Sequence, residues 1–80
     1  MATAVKLKAS GVKKGFPDIQ LCVARQGYHG LFIELKRVKP KGVVSPEQRE
    51  WIWYLRDAGY EVWVCYGAEE AKNTILEYLR

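Results

Sequence analysis

Two carboxylates stand out in the basic first half of the chain. Residues 1–41 contain nine lysines and arginines and two acidic residues, Asp18 and Glu34. Asp18 follows Pro17 and opens an apolar run, and Glu34 interrupts another apolar run two residues before Lys36. Two carboxylates can bind a hard divalent cation such as Mg²⁺, which prefers oxygen ligands. A neighbouring lysine can orient or deprotonate a water and offset charge on an attacked phosphate. The pattern Pro-Asp, then Glu-x-Lys, therefore predicts a metal site that faces a polyanion.

Strand periodicity brings these side chains to one face. Apolar runs bounded by turn residues predict two strands joined by a glycine-containing hairpin loop, at residues 18–24 and 31–37. Alternate side chains share a face, so Asp18 and Gln20 lie together on the first strand, and Glu34 and Lys36 lie together on the second. If both apolar faces pack on one core, these four side chains gather on the opposite, polar face. The alternative is a hairpin with one solvated face, which is the commoner arrangement for a generic hairpin.

A helix should begin after Ser45. Ser45 is a good N-cap, Pro46 suits the first helical position, and Gln48 completes a capping box. The helix is expected to run to Ala58 and to end at Gly59. Gln48 also belongs to the helical stripe that should face the sheet, together with Trp51, Ile52 and Leu55. On local grounds its amide is expected to bond the backbone of Ser45, and its place at the inner edge of the helix leaves room for a site role as well.

The remaining elements predict the fold class. A nearly continuous apolar run at residues 60–66 is typical of a strand covered on both faces, and a last helix follows Gly67. The helical crossover at residues 38–59 favours parallel pairing of the second and third strands. The sequence therefore predicts an α/β fold, a small mixed sheet flanked by helices, in one domain over residues 1–80.

Size and composition limit the function classes. An 80-residue chain buries a modest share of its surface, so we expect help from oligomerisation, as a homodimer. Trp53 lies outside the core stripe of its helix and Leu76 lies at the edge of the stripe of the last helix, so both are candidates for that contact. Cys22 and Cys65 fall in apolar runs without zinc-site spacing and are expected to be reduced core residues. No apolar stretch is long enough to span a bilayer, so a soluble, cytoplasmic protein is expected.

The uneven charge points to nucleic acid. The second half of the chain carries four basic and seven acidic residues, so the positive charge is concentrated in residues 1–41. Clustered lysines and arginines gain affinity for DNA by releasing counterions from phosphates. The alternative is a solvated basic face. The predicted phosphate contacts are Lys13, Lys14, Arg37, Lys39 and Lys41. His29 lies in the hairpin loop and is expected to be solvated.

The ordered motifs resemble a known family. The segments are Gly15-Phe16-Pro17-Asp18, Gly30-Leu31-Phe32-Ile33-Glu34-Leu35-Lys36, Ser45-Pro46-Glu47-Gln48 and Gly59-Tyr60. In this order they are similar to the VRR-NUC (virus-type replication-repair nuclease) domain of the PD-(D/E)xK nuclease superfamily, from about residue 7 to the C-terminus. Pro-Asp or Glu-x-Lys alone would be weak evidence for this family, whereas the ordered combination of segments is specific.

The resemblance implies roles for five residues. Asp18 and Glu34 would be ligands of Mg²⁺ or Mn²⁺, and the main-chain carbonyl of Leu35 would be a further ligand. Lys36 would be the catalytic lysine, and Gln48 would be the helix glutamine near the site. The resemblance also implies a restriction-endonuclease-like core. Family members usually carry a further acidic residue on an N-terminal helix, whereas residues 1–17 here contain no acidic residue.

Two hypotheses follow from the sequence and the resemblance. The first is a metal-dependent DNA endonuclease of bacterial or phage origin, acting as a homodimer on branched DNA in DNA repair, because bacterial and phage members of the family resemble Holliday-junction resolvases. The second is a non-catalytic nucleic-acid-binding module on the same fold, which has kept the basic surface without the N-terminal ligand. Metal-dependent cleavage would separate them.

Overall fold

The computed structural model describes residues 14–80, in which a β-hairpin, a helix, a strand and a helix follow one another. This is the predicted order. The elements are β1 (Ile19–Leu21), β2 (Leu31–Lys36), α1 (Pro46–Asp57), β3 (Glu61–Tyr66) and α2 (Ala68–Leu79). The first strand is shorter than the predicted 18–24 because its partner β2 begins at Leu31, which pairs with Leu21. The other boundaries lie within one residue of the prediction.

The three strands form a mixed sheet in the order β1-β2-β3. β1 is antiparallel to β2, with Ile19 opposite Ile33, and β2 is parallel to β3, with Ile33 opposite Trp63. The parallel pairing confirms the interpretation of residues 38–59 as a helical crossover. β2 is therefore the central strand and carries Glu34 and Lys36 near its carboxyl end.

Each face of the sheet has its own apolar cluster. On the α2 side the buried residues are Leu31, Ile33, Cys65, Ala71 and Tyr78. On the α1 side they are Phe32, Ile52, Leu55 and Val62. The expectation of one apolar and one polar face on β2 was wrong, because α1 covers the face of Phe32 and Glu34 and leaves each 3% exposed. The result is a three-layer α/β/α arrangement.

Two further expectations about burial need correction. Cys22 is exposed rather than a core residue, because β1 ends at Leu21 and the chain then leaves the sheet. Cys65 is a free, buried cysteine as predicted. Trp63 on β3 is 48% exposed, so this strand is not covered on both faces along its whole length.

The outer edge of β3 is closed at two points by side chains of the neighbouring helices. Arg56 Nη2 on α1 donates to the carbonyl of Val62 at 2.8 Å. The backbone N–H of Tyr66 donates to Glu70 Oε1 on α2 at 2.6 Å. An edge strand otherwise offers its backbone groups to other chains, so these contacts protect it. Across residues 14–80, neither helix has the length and hydropathy that a bilayer crossing requires.

Candidate active site

The residues that carry the two carboxylates lie on adjacent segments of the chain where β1 and β2 begin to separate. The register pairs Ile19 with Ile33, so its continuation by one residue sets Asp18 opposite Glu34. Side chains that face each other across antiparallel strands have Cβ atoms about 5 Å apart. Asp18 is exposed, and its Oδ2 accepts the backbone N–H of Leu35 at 2.9 Å. This bond holds the Asp18 carboxylate beside the backbone of β2.

At the end of the β1–β2 pairing, a proline lies opposite Leu35. The same register continues to Pro17 opposite Leu35. Both main-chain groups of a strand residue point to the same side, and the Leu35 N–H points to Asp18. The Leu35 carbonyl therefore points toward the β1 side as well. Pro17 has no N–H to donate to it, so the β1 ladder does not use this oxygen.

Glu34 is the buried member of the pair. Its Oε2 accepts Gln48 Nε2 at 2.8 Å and lies 3.9 Å from Lys36 Nζ. The side chain of Lys36 is 14% exposed. A buried carboxylate is stable when hydrogen bonds and an opposite charge compensate for its lost hydration. Gln48 supplies the hydrogen bond and Lys36 supplies the opposite charge. The negative charge of Glu34 is therefore compensated beneath α1.

Gln48 joins the helix cap to this site. Its Oε1 accepts both the backbone N–H of Ser45, at 2.8 Å, and Lys36 Nζ, at 2.7 Å. The Gln48 backbone N–H in turn donates to Ser45 Oγ at 3.1 Å, which completes the predicted capping box. Because two donors face Oε1, the amide is oriented with Nε2 toward Glu34. The amide that closes the cap therefore also contacts Glu34 and Lys36.

A glycine turn positions the start of α1 over the site. Gly15 has a φ of +87°, and a Cβ there would lie 2.8 Å from the carbonyl carbon of Glu47. Phe16 follows it and packs edge-on against Phe32 and Trp51, with centroid separations of 5.5 and 5.0 Å. The turn that carries Asp18 is thereby packed against the first turn of the helix that carries Gln48.

The oxygen atoms in this region suit a hard divalent cation. They come from the carboxylates of Asp18 and Glu34 and from the Leu35 carbonyl, the donor types that Mg²⁺ and Mn²⁺ prefer. Across residues 14–80, no group of three or more His, Cys, Asp or Glu side chains is arranged to hold a metal ion. A cation bound to these oxygens would keep waters among its ligands, as Mg²⁺ commonly does.

The predicted phosphate contacts occupy different places. Arg37, Lys39 and Lys41 are exposed on the loop that follows β2, at the same end of the sheet as Lys36. Lys14 instead lines a cavity of about 300 Å³ beside α1, together with Glu47, Glu50, Trp51 and Tyr54. Lys13 lies outside the described residues. The structure therefore groups three of the five cations near the candidate site.

His29 has a packing role that the sequence reading missed. It is exposed, but its ring packs edge-on against Tyr60, with centroids 5.6 Å apart. A Cβ on Gly59 would lie 2.6 Å from the His29 ring, so only glycine fits there without displacement. His29 lies in the hairpin loop two residues before β2, whereas Glu34 lies in the second half of that strand. It belongs to the hairpin's contact with the end of α1, away from the carboxylates.

Comparisons with known proteins bear on the family and the fold. The VRR-NUC domain family matches residues 1–69. A solved structure described as a VRR_NUC domain protein is 38% identical and superposes with a TM-score of 0.81. The match covers 96% of this chain and 62% of that one, so the chain spans less than two thirds of its structural neighbour. A search of curated proteins gave no match. With most of its length matched by the family and a nuclease-like α/β fold, this chain belongs to the VRR-NUC domain family of nucleases.

Proposed function

We propose that this chain is a divalent-metal-dependent endonuclease that hydrolyses phosphodiester bonds in DNA. The observation that carries the proposal is the position of Asp18 opposite Glu34 in the continued register, with Asp18 bonded to the Leu35 N–H and Glu34 in contact with Gln48 and Lys36. An oxygen cluster beside a lysine suits hydrolysis of a phosphodiester, because negative charge develops on the phosphate during attack. Membership of a nuclease family supports the same reading.

Each side chain has a separate task in this proposal. Asp18, Glu34 and the Leu35 carbonyl would hold Mg²⁺ or Mn²⁺, which supplies Lewis-acid activation when bound. Lys36 Nζ offers positive charge and N–H donors to the attacking water and to the phosphate oxygens. Gln48 holds Lys36 and Glu34 in fixed relative positions through its two amide atoms. This fixed geometry is the main contribution of the protein.

The finer form of the proposal is a homodimer that acts on branched DNA. Two exposed apolar side chains support self-association: Trp53 on α1 is 70% exposed and Leu76 on α2 is 57% exposed. Large exposed apolar groups commonly mark interfaces. Two nicks related by a two-fold axis require two copies of a chain with one site, and two-fold dimers are the commonest assembly.

A second candidate is a nucleic-acid-binding module without catalysis. The observation that favours it is that, among residues 14–80, no third His, Cys, Asp or Glu side chain joins Asp18 and Glu34 in a group that could hold a metal ion. The basic loop after β2 would serve such a module equally well. The two candidates differ in one measurable property, which is cleavage in the presence of a divalent metal.

The test uses purified protein and labelled DNA substrates. Duplex, single-stranded, flap and four-way-junction DNAs are incubated with Mn²⁺, with Mg²⁺ and with chelator. Asp18→Asn, Glu34→Gln and Lys36→Ala should abolish cleavage, while DNA affinity holds or rises in the two carboxylate variants because negative charge is removed. Glu69→Gln and Lys72→Ala change exposed side chains of α2 and serve as matched controls. Circular dichroism confirms folding, since Glu34 is buried.

The outcomes divide the candidates clearly. Cleavage that requires metal and disappears in all three site variants supports the nuclease. DNA binding without cleavage of any substrate would favour the binding module. Full activity in the three site variants would show that the chemistry occurs elsewhere.

A further inference from the structure

The loop that joins β2 to α1 is docked on the end of the sheet. The Gly42 N–H donates to the Arg37 carbonyl at 3.0 Å and closes the loop. A Cβ on Gly42 would lie 3.2 Å from two carbons of the Lys36 side chain, so the loop rests on that side chain. A Cβ on Gly67 would lie 2.9 Å from a methyl group of Val38. The loop is thus supported by Lys36 on one side and by the turn after β3 on the other.

Tyr66 adds an aromatic surface to this contact. Lys36 and Tyr66 are partners in the parallel register, so their side chains leave the same face of strands about 4.8 Å apart. Lys41 Nζ lies 4.8 Å from the centroid of the Tyr66 ring. This is within the range of a cation–π contact. The N–H bond from Tyr66 to Glu70 holds the end of the strand in place.

The ring holds the ammonium group of Lys41 without neutralising it. The ion pairs found among residues 14–80 involve Lys36, Lys72 and Arg80, and none involves Lys41. A ring face attracts a cation through its quadrupole and carries no net charge. The ammonium therefore keeps its full charge and its N–H donors for an anion.

We propose that Tyr66 is a positioning residue that holds Lys41 beside the Lys36 site, where Lys41 binds a DNA phosphate next to the one that is cleaved. The inference rests on the proposed nuclease function and names one part of its DNA surface. A lysine on a free loop loses rotamer freedom when it binds a phosphate, and this loss weakens binding. Contact with the ring removes part of that freedom before DNA arrives.

The test compares side chains that differ in ring face or in charge. DNA binding is measured by fluorescence anisotropy in chelator, from about 50 to 200 mM salt. Tyr66→Leu keeps an apolar side chain without a ring face, and Tyr66→Phe keeps the ring without the hydroxyl. Lys41→Ala and the double variant Lys41→Ala/Tyr66→Leu complete a cycle. Thermal melts establish that each variant is folded.

The expected pattern is specific. Tyr66→Leu weakens binding about two- to fivefold, a part of the cost of ordering one long side chain, with an unchanged salt slope. Tyr66→Phe binds like the wild type. Lys41→Ala reduces the salt slope by about 0.9, one phosphate contact, and the double variant binds like Lys41→Ala. In cleavage assays Tyr66→Leu raises KM and leaves kcat unchanged.

Several results would overturn the inference. Equal loss in Tyr66→Phe and Tyr66→Leu would assign the effect to the hydroxyl. Wild-type affinity in Tyr66→Leu would show that the ring does not position Lys41. A further loss on adding Tyr66→Leu to Lys41→Ala would show that Tyr66 acts through another group. A wild type that binds DNA with this pattern but cleaves no substrate would contradict the proposed nuclease alone, and a wild type that does not bind DNA would contradict both.

Discussion

Gln48→Glu is the substitution that separates the helix cap from the candidate site. A glutamate can still accept the Ser45 N–H and Lys36 Nζ, because Glu and Gln both serve in capping boxes. It replaces the donor Nε2 with an oxygen that faces Glu34 Oε2, where the wild-type contact is 2.8 Å. Two carboxylates then oppose each other at a position where Glu34 is 3% exposed. We expect the variant to retain its cap and to lose stability at the site.

The size of the loss follows from the contact. A hydrogen bond to a charged group contributes about 1.5–3 kcal/mol, and the new repulsion adds to its loss. In a domain of this size, 1 kcal/mol shifts Tm by about 4–8 °C. Gln48→Glu should therefore lower Tm by about 10–20 °C in chelator. A divalent cation offsets the repulsion, so added Mn²⁺ should raise Tm more in the variant than in the wild type.

Circular dichroism melts with chelator and with Mn²⁺ measure both effects. Asn73→Asp, an exposed amide-to-acid change on α2, is the matched control and should shift Tm little. Gln48→Leu removes the cap bond as well, so its melt shows what the cap contributes. A Tm for Gln48→Glu within about 3 °C of the wild type in chelator would refute the reasoning, because the Gln48–Glu34 bond would then contribute little.

Three further predictions concern the turn, the charge and the assembly. Gly15→Ala should lower Tm more than Gly27→Ala. Both glycines have a φ near +86°, but only at Gly15 would a Cβ meet Glu47. Equal losses of Tm in the two variants would contradict the packing argument. DNA affinity should fall steeply with salt and depend weakly on sequence, since lysine-rich loops contact phosphates, so a flat plot of log affinity against log salt would count against the basic surface. Light scattering should show a wild-type dimer that Trp53→Glu weakens, and a mass near 9.2 kDa at high micromolar concentration would exclude it.

Local patterns were enough to predict that Asp18 and Glu34 share one face of a hairpin. Period-two alternation decides which side chains share a face, and the glycine-containing loop indicates that the two strands are neighbours. The burial of Glu34 was not predictable in the same way. Alternation marks its face as polar, but Phe32 shares that face and α1 packs onto it. Tertiary packing therefore determined the environment of a residue whose position the sequence pattern had indicated.

Contacts between distant segments carried little sequence signal. Lys41 and Tyr66 are 25 residues apart, and Gly15 and Glu47 are 32 apart. Propensity and periodicity report on neighbours within a few residues, so neither predicts which loop lies on which strand. Gln48 illustrates the same limit of local sequence patterns. Its motif indicated a helix cap, but the motif could not reveal that the same amide would also contact Lys36 and Glu34.

The closed outer edge of β3 has a consequence for how copies of this chain can join. Edge-to-edge addition of another strand would have to break the Arg56 bond at Val62 and the Glu70 bond at Tyr66. Only the middle of the strand, at Val64, lies between these two points. Because continuous sheet extension would break bonds at both of those points, this edge disfavours strand exchange and fibre-like stacking. The proposed dimer would therefore use a surface other than this edge, such as the helices on which Trp53 and Leu76 are exposed.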